Sequence, residues 1–359
     1  MEDLVKKDFW QGRRVFITGH TGFKGSWLAL WLNELGAKVT GYALPPSSTP
    51  NIFHEARIET TLSSVIGDIR DADHLAAEIF KARPQTIFHL AAQPLVGEGY
   101  RDPVSTYSTN IMGTVNLLEA VRHCPGVESL VIVTTDKCYE NRETLHDYCE
   151  SDPLGGRDPY SSSKACAEII TAAYRQSFFI GSEQTQLATV RAGNVIGGGD
   201  WAENRLMPDL LRALTNNSIA KLRNPNAIRP WQHVLEPLKG YLLVAEKLAK
   251  SPPMARAWNF GPKLEDCVSS ATVAELTCSY WSPHAHWETE AANFPHEATL
   301  LRLNSSAAKQ SLKWRPAWSL NDAIKNTVSW HRAWLSGHDM QAFSRNQINQ
   351  YTKSVSNEP

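Results

Sequence analysis

The sequence predicts an α/β fold, a doubly wound parallel sheet with a smaller C-terminal lobe. Three observations carry that prediction. Short apolar runs alternate with helical patterns through the first half of the chain. A glycine-rich turn joins the first such run to the first helix. After about residue 180 the alternation gives way to a stretch rich in Gly, Asn, Arg and Pro. Strands apolar on both faces are what a parallel sheet covered by helices on both sides requires. Right-handed crossovers then wind the sheet in two directions.

In chain order, residues 13–18 read as the first strand. Residues 26–35 read as a helix stopped by Gly36, because glycine takes the left-handed conformation at a helix end without strain. Residues 38–42 and 63–67 are the second and third strands, 71–83 a helix ended by Pro84, and 86–90 the fourth strand. Residues 110–124 are helical, 129–133 form the fifth strand, 159–174 a helix, and 186–190 the sixth strand. Later helices are expected at 208–215, 269–281 and 321–337. Trp27 and Trp31, at helical spacing, read as core. Three regions follow: 1–185, which carries most of the sheet with contributions from later segments, 186–340, mainly a ligand-binding lobe, and 341–359, a tail with few apolar residues that is expected to be mobile.

Composition removes several classes of function. The formal net charge is -1, so bulk electrostatics provides no attraction to nucleic acid or an anionic membrane. Residues 1–8 are charged with no apolar run behind them, unlike a secretory signal. No stretch approaches the ~18 apolar residues of a membrane span. The six cysteines form no CxxC pair, so no zinc or redox motif is indicated. They read as reduced thiols of a cytoplasmic enzyme.

The turn Thr18-Gly19-His20-Thr21-Gly22-Phe23-Lys24-Gly25 has the pattern GxxGxxG. Gly19 permits a tight turn, Gly22 lets backbone approach a pyrophosphate, and Gly25 allows close helix packing. The N–H groups at the helix start then face the anion. Thr21, Phe23 and Lys24 share this turn and are placed beside the dinucleotide. Asp68 and Ile69 follow the third strand; Leu90, Ala91 and Ala92 follow the fourth. Asp68 suits either an acceptor for the adenine amino group or a helix cap. The cofactor is assigned as NAD, although the second strand ends in Gly41-Tyr42-Ala43-Leu44 with no acid for the adenosine ribose, and Lys24 offers a cation to a phosphate.

Tyr160 and Lys164 stand at i and i+4, on one face of the 159–174 helix. An ammonium nearby favours phenolate, and a phenolate takes the proton of a sugar hydroxyl as hydride leaves. Thr135-Asp136-Lys137 follows the fifth strand, at the sheet edge where such folds bind ligands. Thr135 is expected to hydrogen-bond the reacting hydroxyl beside Tyr160.

The glycine turn, His89-Leu90-Ala91-Ala92-Gln93, the Thr-Asp-Lys triplet, YxxxK and Arg191-Ala192-Gly193-Asn194-Val195 together resemble the extended short-chain dehydrogenase/reductases, and within them the nucleotide-sugar 4,6-dehydratases. The resemblance runs to about Trp334. Three segments are similar to the branch acting on CDP-glucose: 135–141, Gly197-Gly198-Gly199-Asp200-Trp201, and Arg229-Pro230-Trp231-Gln232-His233-Val234. It implies a Rossmann-type NAD-binding domain over 1–185 and a nucleotide-sugar lobe over 186–340. It also implies a three-part reaction. Tyr160 takes the 4-hydroxyl proton while hydride passes to NAD+; C5 loses a proton as Asp136 protonates the departing 6-hydroxyl; hydride returns to C6.

Relatives acting on dTDP- and GDP-sugars place Glu after this Asp as the C5 base, whereas this chain has Lys137. Lys137 either acts as a neutral base or stays charged and stabilises the enolate at O4. For the substrate, Gln93 is placed at the sugar and Asn194, Arg205 and Arg229 at the diphosphate, where guanidinium offers forked donors. Trp201 or Trp231 walls the pocket or packs near the base. His89 and His233 read as structural. The competing readings are a nucleotide-sugar 4-epimerase, which needs the Tyr/Lys pair but no acid for eliminating water, and a noncatalytic dinucleotide-sensing protein. By analogy the chain forms a homodimer or homotetramer through helices 110–124 and 159–174.

Overall fold

The computed structural model describes residues 5–181, 184–250, 254–290 and 299–356. Residues 1–4 of the charged N-terminus and 357–359 of the tail lie outside these. Seven parallel strands form the central sheet: β1 (Arg14–Thr18), β2 (Lys38–Ala43), β3 (Ser63–Ile66), β4 (Thr86–His89), β5 (Ser129–Val133), β6 (Gln186–Ala192) and β7 (Ala257–Phe260). Their order is β7-β6-β5-β4-β1-β2-β3. The order reverses direction at β1, and a ligand crevice opens at such a switch point.

The nine longer helices among the described residues are α1 (Phe23–Glu34), α2 (Ala72–Ala82), α3 (Gly113–His123), α4 (Pro159–Ser177), α5 (Leu206–Thr215), α6 (Leu235–Leu248), α7 (Ser270–Trp281), α8 (Leu320–Leu335) and α9 (Met340–Ser356). The alternation of side chains along each strand divides the core in two. Val15, Ile17, Phe88, Val131 and Val133 join α1 and α6 on one face. Phe16, Ile87, Leu130 and Ile132 join α2 and α3 on the other. That explains the runs without polar interruption.

Helix α6 and strand β7 both escaped the sequence reading. Helix α6 is buried at 13 of its positions, so it has no polar face to reveal a period. Strand β7 is short and enters the sheet late, beside β6.

The expectation of a mobile tail is corrected. Residues 340–356 form α9, with Met340, Ser344, Gln347, Ile348, Tyr351 and Val355 buried. Those positions share one helical face, so few apolar residues suffice to dock it. Tyr351 packs edge-on to Trp31 of α1 and to Trp318, and its hydroxyl donates to Glu236 at 2.6 Å. Arg345 pairs with Glu34, and Trp330 of α8 donates to Ser344 at 2.8 Å. Among the described residues no helix is long and apolar enough to cross a membrane.

Candidate active site

The glycine turn follows β1 directly. Gly19 has φ +80°, and a side chain there would collide with the backbone of Leu90 and Ala91. Gly25 faces the Gly19 carbonyl so closely that a Cβ would stand 2.0 Å from it. The turn is therefore pressed between α1 and the end of β4. Gly22 caps α1, with no side chain satisfying the helix N–H groups and no acid in the first turn. Such an end suits an anion. Thr21 is committed to the Leu44 carbonyl at 2.8 Å. Thr18 holds His89 at 2.7 Å and accepts from Ala91 N at 3.2 Å. Burial pushes His89 down to about 3, which keeps it neutral and structural.

Asp68 does not cap the following helix; Asp71 does, accepting from His74 N at 3.0 Å. Asp68 instead holds Arg70, at 2.5 Å between Oδ2 and Nη2, and the guanidinium keeps its carboxyl below the usual range. Ile69 is buried against Gly113. Lys24 is half-buried, and desolvation pushes it down to about 8. The charges acting on it are Arg205, Asp136, Lys164 and Asp200.

Helix α4 starts where Asp158 accepts from Ser161 N at 2.9 Å and Pro159 occupies the first turn. That start puts Tyr160 one residue into the helix and Lys164 one turn on. The Thr135 hydroxyl lies next to the Tyr160 phenol and favours its ionised form; the expectation was that Thr135 bonds the reacting hydroxyl beside Tyr160. Lys164 Nζ donates to the Val133 carbonyl at 3.2 Å, and burial pushes it down to about 8. The Tyr160 phenol is pushed up to about 12 by burial, opposed by Thr135 and by the charge of Arg205.

Thr135 begins a 3-10 turn, Asp136–Cys138, and donates to Asp136 Oδ1 at 3.0 Å. Asp136 Oδ2 is buried with no hydrogen-bond partner. Burial raises the Asp136 carboxyl, against the opposing charge of Lys137, the Thr135 hydrogen bond, and the charges of Arg229 and Lys24. Gly193 leaves the space: a Cβ there would stand 3.2 Å from Oδ2 and strike Pro230. Lys137 is half-buried beside Asp136.

The four substrate candidates separate. Arg205 lies by the site, held by Asp200 at 3.1 Å and acting on Tyr160. Arg229 is buried, donates to Ile228 O at 3.0 Å and acts on Asp136. Asn194 opens a short strand, Asn194–Ile196, beside Trp231. Gln93 is differently employed from the expectation: Nε2 donates to Thr106 at 2.8 Å and Oε1 accepts from Leu95 N at 2.5 Å. One end of its amide is thus engaged by Thr106 of the short helix Pro103–Tyr107 and the other by its own loop. Trp201 packs on Trp330 and Trp334 of α8, and Trp231 is buried with its indole N–H on Val268 O.

Sequence reasoning missed Asn110. It sits in a π-helical turn, Ser108–Met112, ahead of α3. Its Nδ2 reaches Ser163 of α4 at 2.9 Å and Gln93 O at 3.1 Å. A π-turn inside a helix often marks a functional position, but its hydrogen-bond register leaves no trace in the sequence.

Fold and site together define an extended short-chain dehydrogenase/reductase. The chain belongs to the GDP-mannose 4,6 dehydratase family, whose model matches residues 16–327. It is 48% identical over 357 residues to a CDP-glucose 4,6-dehydratase of Salmonella typhimurium strain LT2, covering 98% of this chain and 99% of that protein. Among solved structures it is similar to the UDP-glucose 4-epimerase of Thermotoga maritima with UDP-glucose, at TM-score 0.79 and 20% identity over 89% of this chain and 99% of that one. It is also similar to the dTDP-glucose 4,6-dehydratase of Bacillus anthracis in complex with NAD, at TM-score 0.74 and 22% identity over 89% and 97%.

Proposed function

We propose that this chain is an NAD-dependent hydro-lyase that converts CDP-glucose to CDP-4-keto-6-deoxyglucose and water. One observation carries the choice of reaction. A buried carboxyl, Asp136, keeps Oδ2 unpartnered and its proton affinity raised, one hydroxyl away from Tyr160. Hydride exchange alone needs no such acid; loss of a hydroxyl from C6 does. The choice of CDP-glucose rests on the 48% identity to the Salmonella protein.

The uncapped start of α1 and the glycine cradle fit the pyrophosphate of NAD. NAD, when bound, supplies the hydride acceptor and donor. The chain's own groups do the rest. Tyr160, oriented by Thr135, removes the 4-hydroxyl proton. Asp136 delivers a proton to the leaving 6-hydroxyl. Lys137 stands where it either takes the C5 proton or steadies charge on O4. Arg205, acting on Tyr160, and Arg229, acting on Asp136, receive the diphosphate together with Asn194. Asp68 receives the adenine amino group.

The free thiols fit a reducing, cytoplasmic setting. Val104, Tyr107 and Met112, ahead of α3, and Ile169, on α4, are exposed large apolar side chains. A homodimer formed through these side chains is part of the proposal.

The test is incubation of purified protein with CDP-glucose and NAD+. The reading expects a base-labile 4-keto product without net NADH. A 4-epimer, or stoichiometric NADH, contradicts it.

A further inference from the structure

Beneath the reacting residues lies a buried ion pair that the chemistry itself does not use. Arg191 on β6 and Glu168 on α4 are each 3% exposed. The guanidinium meets the carboxylate with two prongs, Nε to Oε1 at 2.8 Å and Nη2 to Oε2 at 2.7 Å. Burial works against the Glu168 charge, but the hydrogen bonds and charge of Arg191 hold the carboxyl below its usual range.

The pair reaches both ends of the catalytic segment. Glu168 Oε1 accepts from Thr134, the residue before Thr135, at 2.5 Å. Arg191 Nη1 donates to the Tyr139 hydroxyl, two residues after Lys137, at 2.7 Å. Tyr139 in turn donates to Asn259 at 2.7 Å. Glu168 Oε2 also accepts from Thr189 on β6 at 2.7 Å. Residues 134 and 139 are thereby anchored to one group, with Thr135, Asp136 and Lys137 strung between them. Glu168 lies one turn after Lys164 on α4, and its charge supports the Lys164 ammonium against burial.

A buried ion pair is a poor stabiliser, since apolar residues of similar volume often serve the fold as well. Its directional hydrogen bonds do what apolar packing does not: they set angles and distances. We propose that Glu168 and Arg191 are positioning residues for the reaction. They set where Thr135, Asp136 and Lys137 stand relative to Tyr160 and Lys164. The proposal deepens the dehydratase reading and rests on its choice of reacting segment.

The experiment compares wild type with Thr134→Val, Glu168→Gln and the double variant Glu168→Met/Arg191→Met, measuring Tm, kcat, KM and the pH dependence of kcat. Thr134→Val removes one anchor and keeps the shape; Tm is expected to stay, kcat to fall about tenfold and KM to hold, as for a small misplacement of reacting groups. Glu168→Gln is expected to move the basic limb of kcat to lower pH, because Lys164 loses the carboxylate that supports its proton. The double variant is expected to regain the Tm lost on breaking the pair while kcat stays down about 100-fold. Wild-type kcat and pH profile in Thr134→Val and Glu168→Gln overturn the proposal, whatever the double variant's fold. So does activity in the double variant that recovers in step with Tm. A wild type without dehydratase turnover overturns the functional reading and this proposal with it, whereas variants matching an active wild type overturn this proposal alone.

Discussion

The Thr135 hydroxyl donates to Asp136 Oδ1 at 3.0 Å, and this bond leaves Oδ2 as the bare face of a buried carboxyl. The same hydroxyl lies next to the Tyr160 phenol and favours its ionised form. One threonine thus ties together the proposed base for C4 and the proposed acid for C6. The two halves of the reaction share a hinge of a single side chain, which makes them separable by substitution.

Asp136→Asn keeps the shape and the Thr135 contact but carries no acidic proton. We expect kcat to fall by about 100-fold or more, the scale of a lost general acid. Oxidation at C4 survives, so substrate-dependent growth of nicotinamide absorbance should appear under single-turnover conditions. Loss of both halves together would place Asp136 outside the elimination step.

Tyr160→Phe is expected to lower kcat by at least ~100-fold with the fold intact. Here the oxidation half is lost as well, so no nicotinamide absorbance grows. Near-normal kcat would reject the role given to the phenol.

Lys137→Ala separates the two readings of Lys137. If Lys137 takes the C5 proton, exchange of C5 hydrogen with solvent stops in the variant. If it steadies charge on O4, exchange slows but persists, and added primary amines do not restore it.

Glu236 offers a pH test of the docked C-terminal helix. It is fully buried, accepts from Tyr351 at 2.6 Å and from the backbone of Trp318 at 2.7 Å, and burial pushes its carboxyl up to about 7. A carboxyl raised in the folded state binds more protons there than when unfolded. Its contribution is therefore full below the unfolded value near 4.5 and is lost as pH rises through about 7. Against Glu236→Gln, which does not titrate, wild type should lose ~3 kcal/mol of relative stability between pH 4.5 and pH 8. Denaturant unfolding of both proteins at the two pH values measures this; a constant difference contradicts it. Removal of residues 340–359 strips Tyr351, Ile348 and Met340 from the core at about 2–5 kcal/mol for each large side chain. Tm should then drop by about 10 °C or more.

Much of the fold could be read from local pattern, and the exceptions share a cause. Strands β1, β4 and β5 announce themselves because they are buried on both faces, whereas the more polar β2 and β3 are marked by the helices and turns around them. The glycine turn announces itself because Gly19 and Gly25 are each demanded by backbone contacts close in sequence or register. Helix α6 was hidden by being buried all round, and α9 by docking on one sparse stripe. Gln93 was read from its place after β4; what employs it is Thr106, on a neighbouring short helix. Glu168 and Arg191 lie 23 positions apart and carry no spacing rule, although each stands in a segment that drew notice for other residues. The identity of a reacting residue is a local matter, while its orientation is decided by partners that only the fold brings near.

The path of one hydrogen tests this chemistry most directly. With CDP-glucose carrying deuterium at C4, we expect deuterium at C6 of the 4-keto product, with the cofactor returned to its starting state. Deuterium retained at C4, or delivered to a cofactor that accumulates in reduced form, would contradict a dehydratase built on Tyr160 and Asp136.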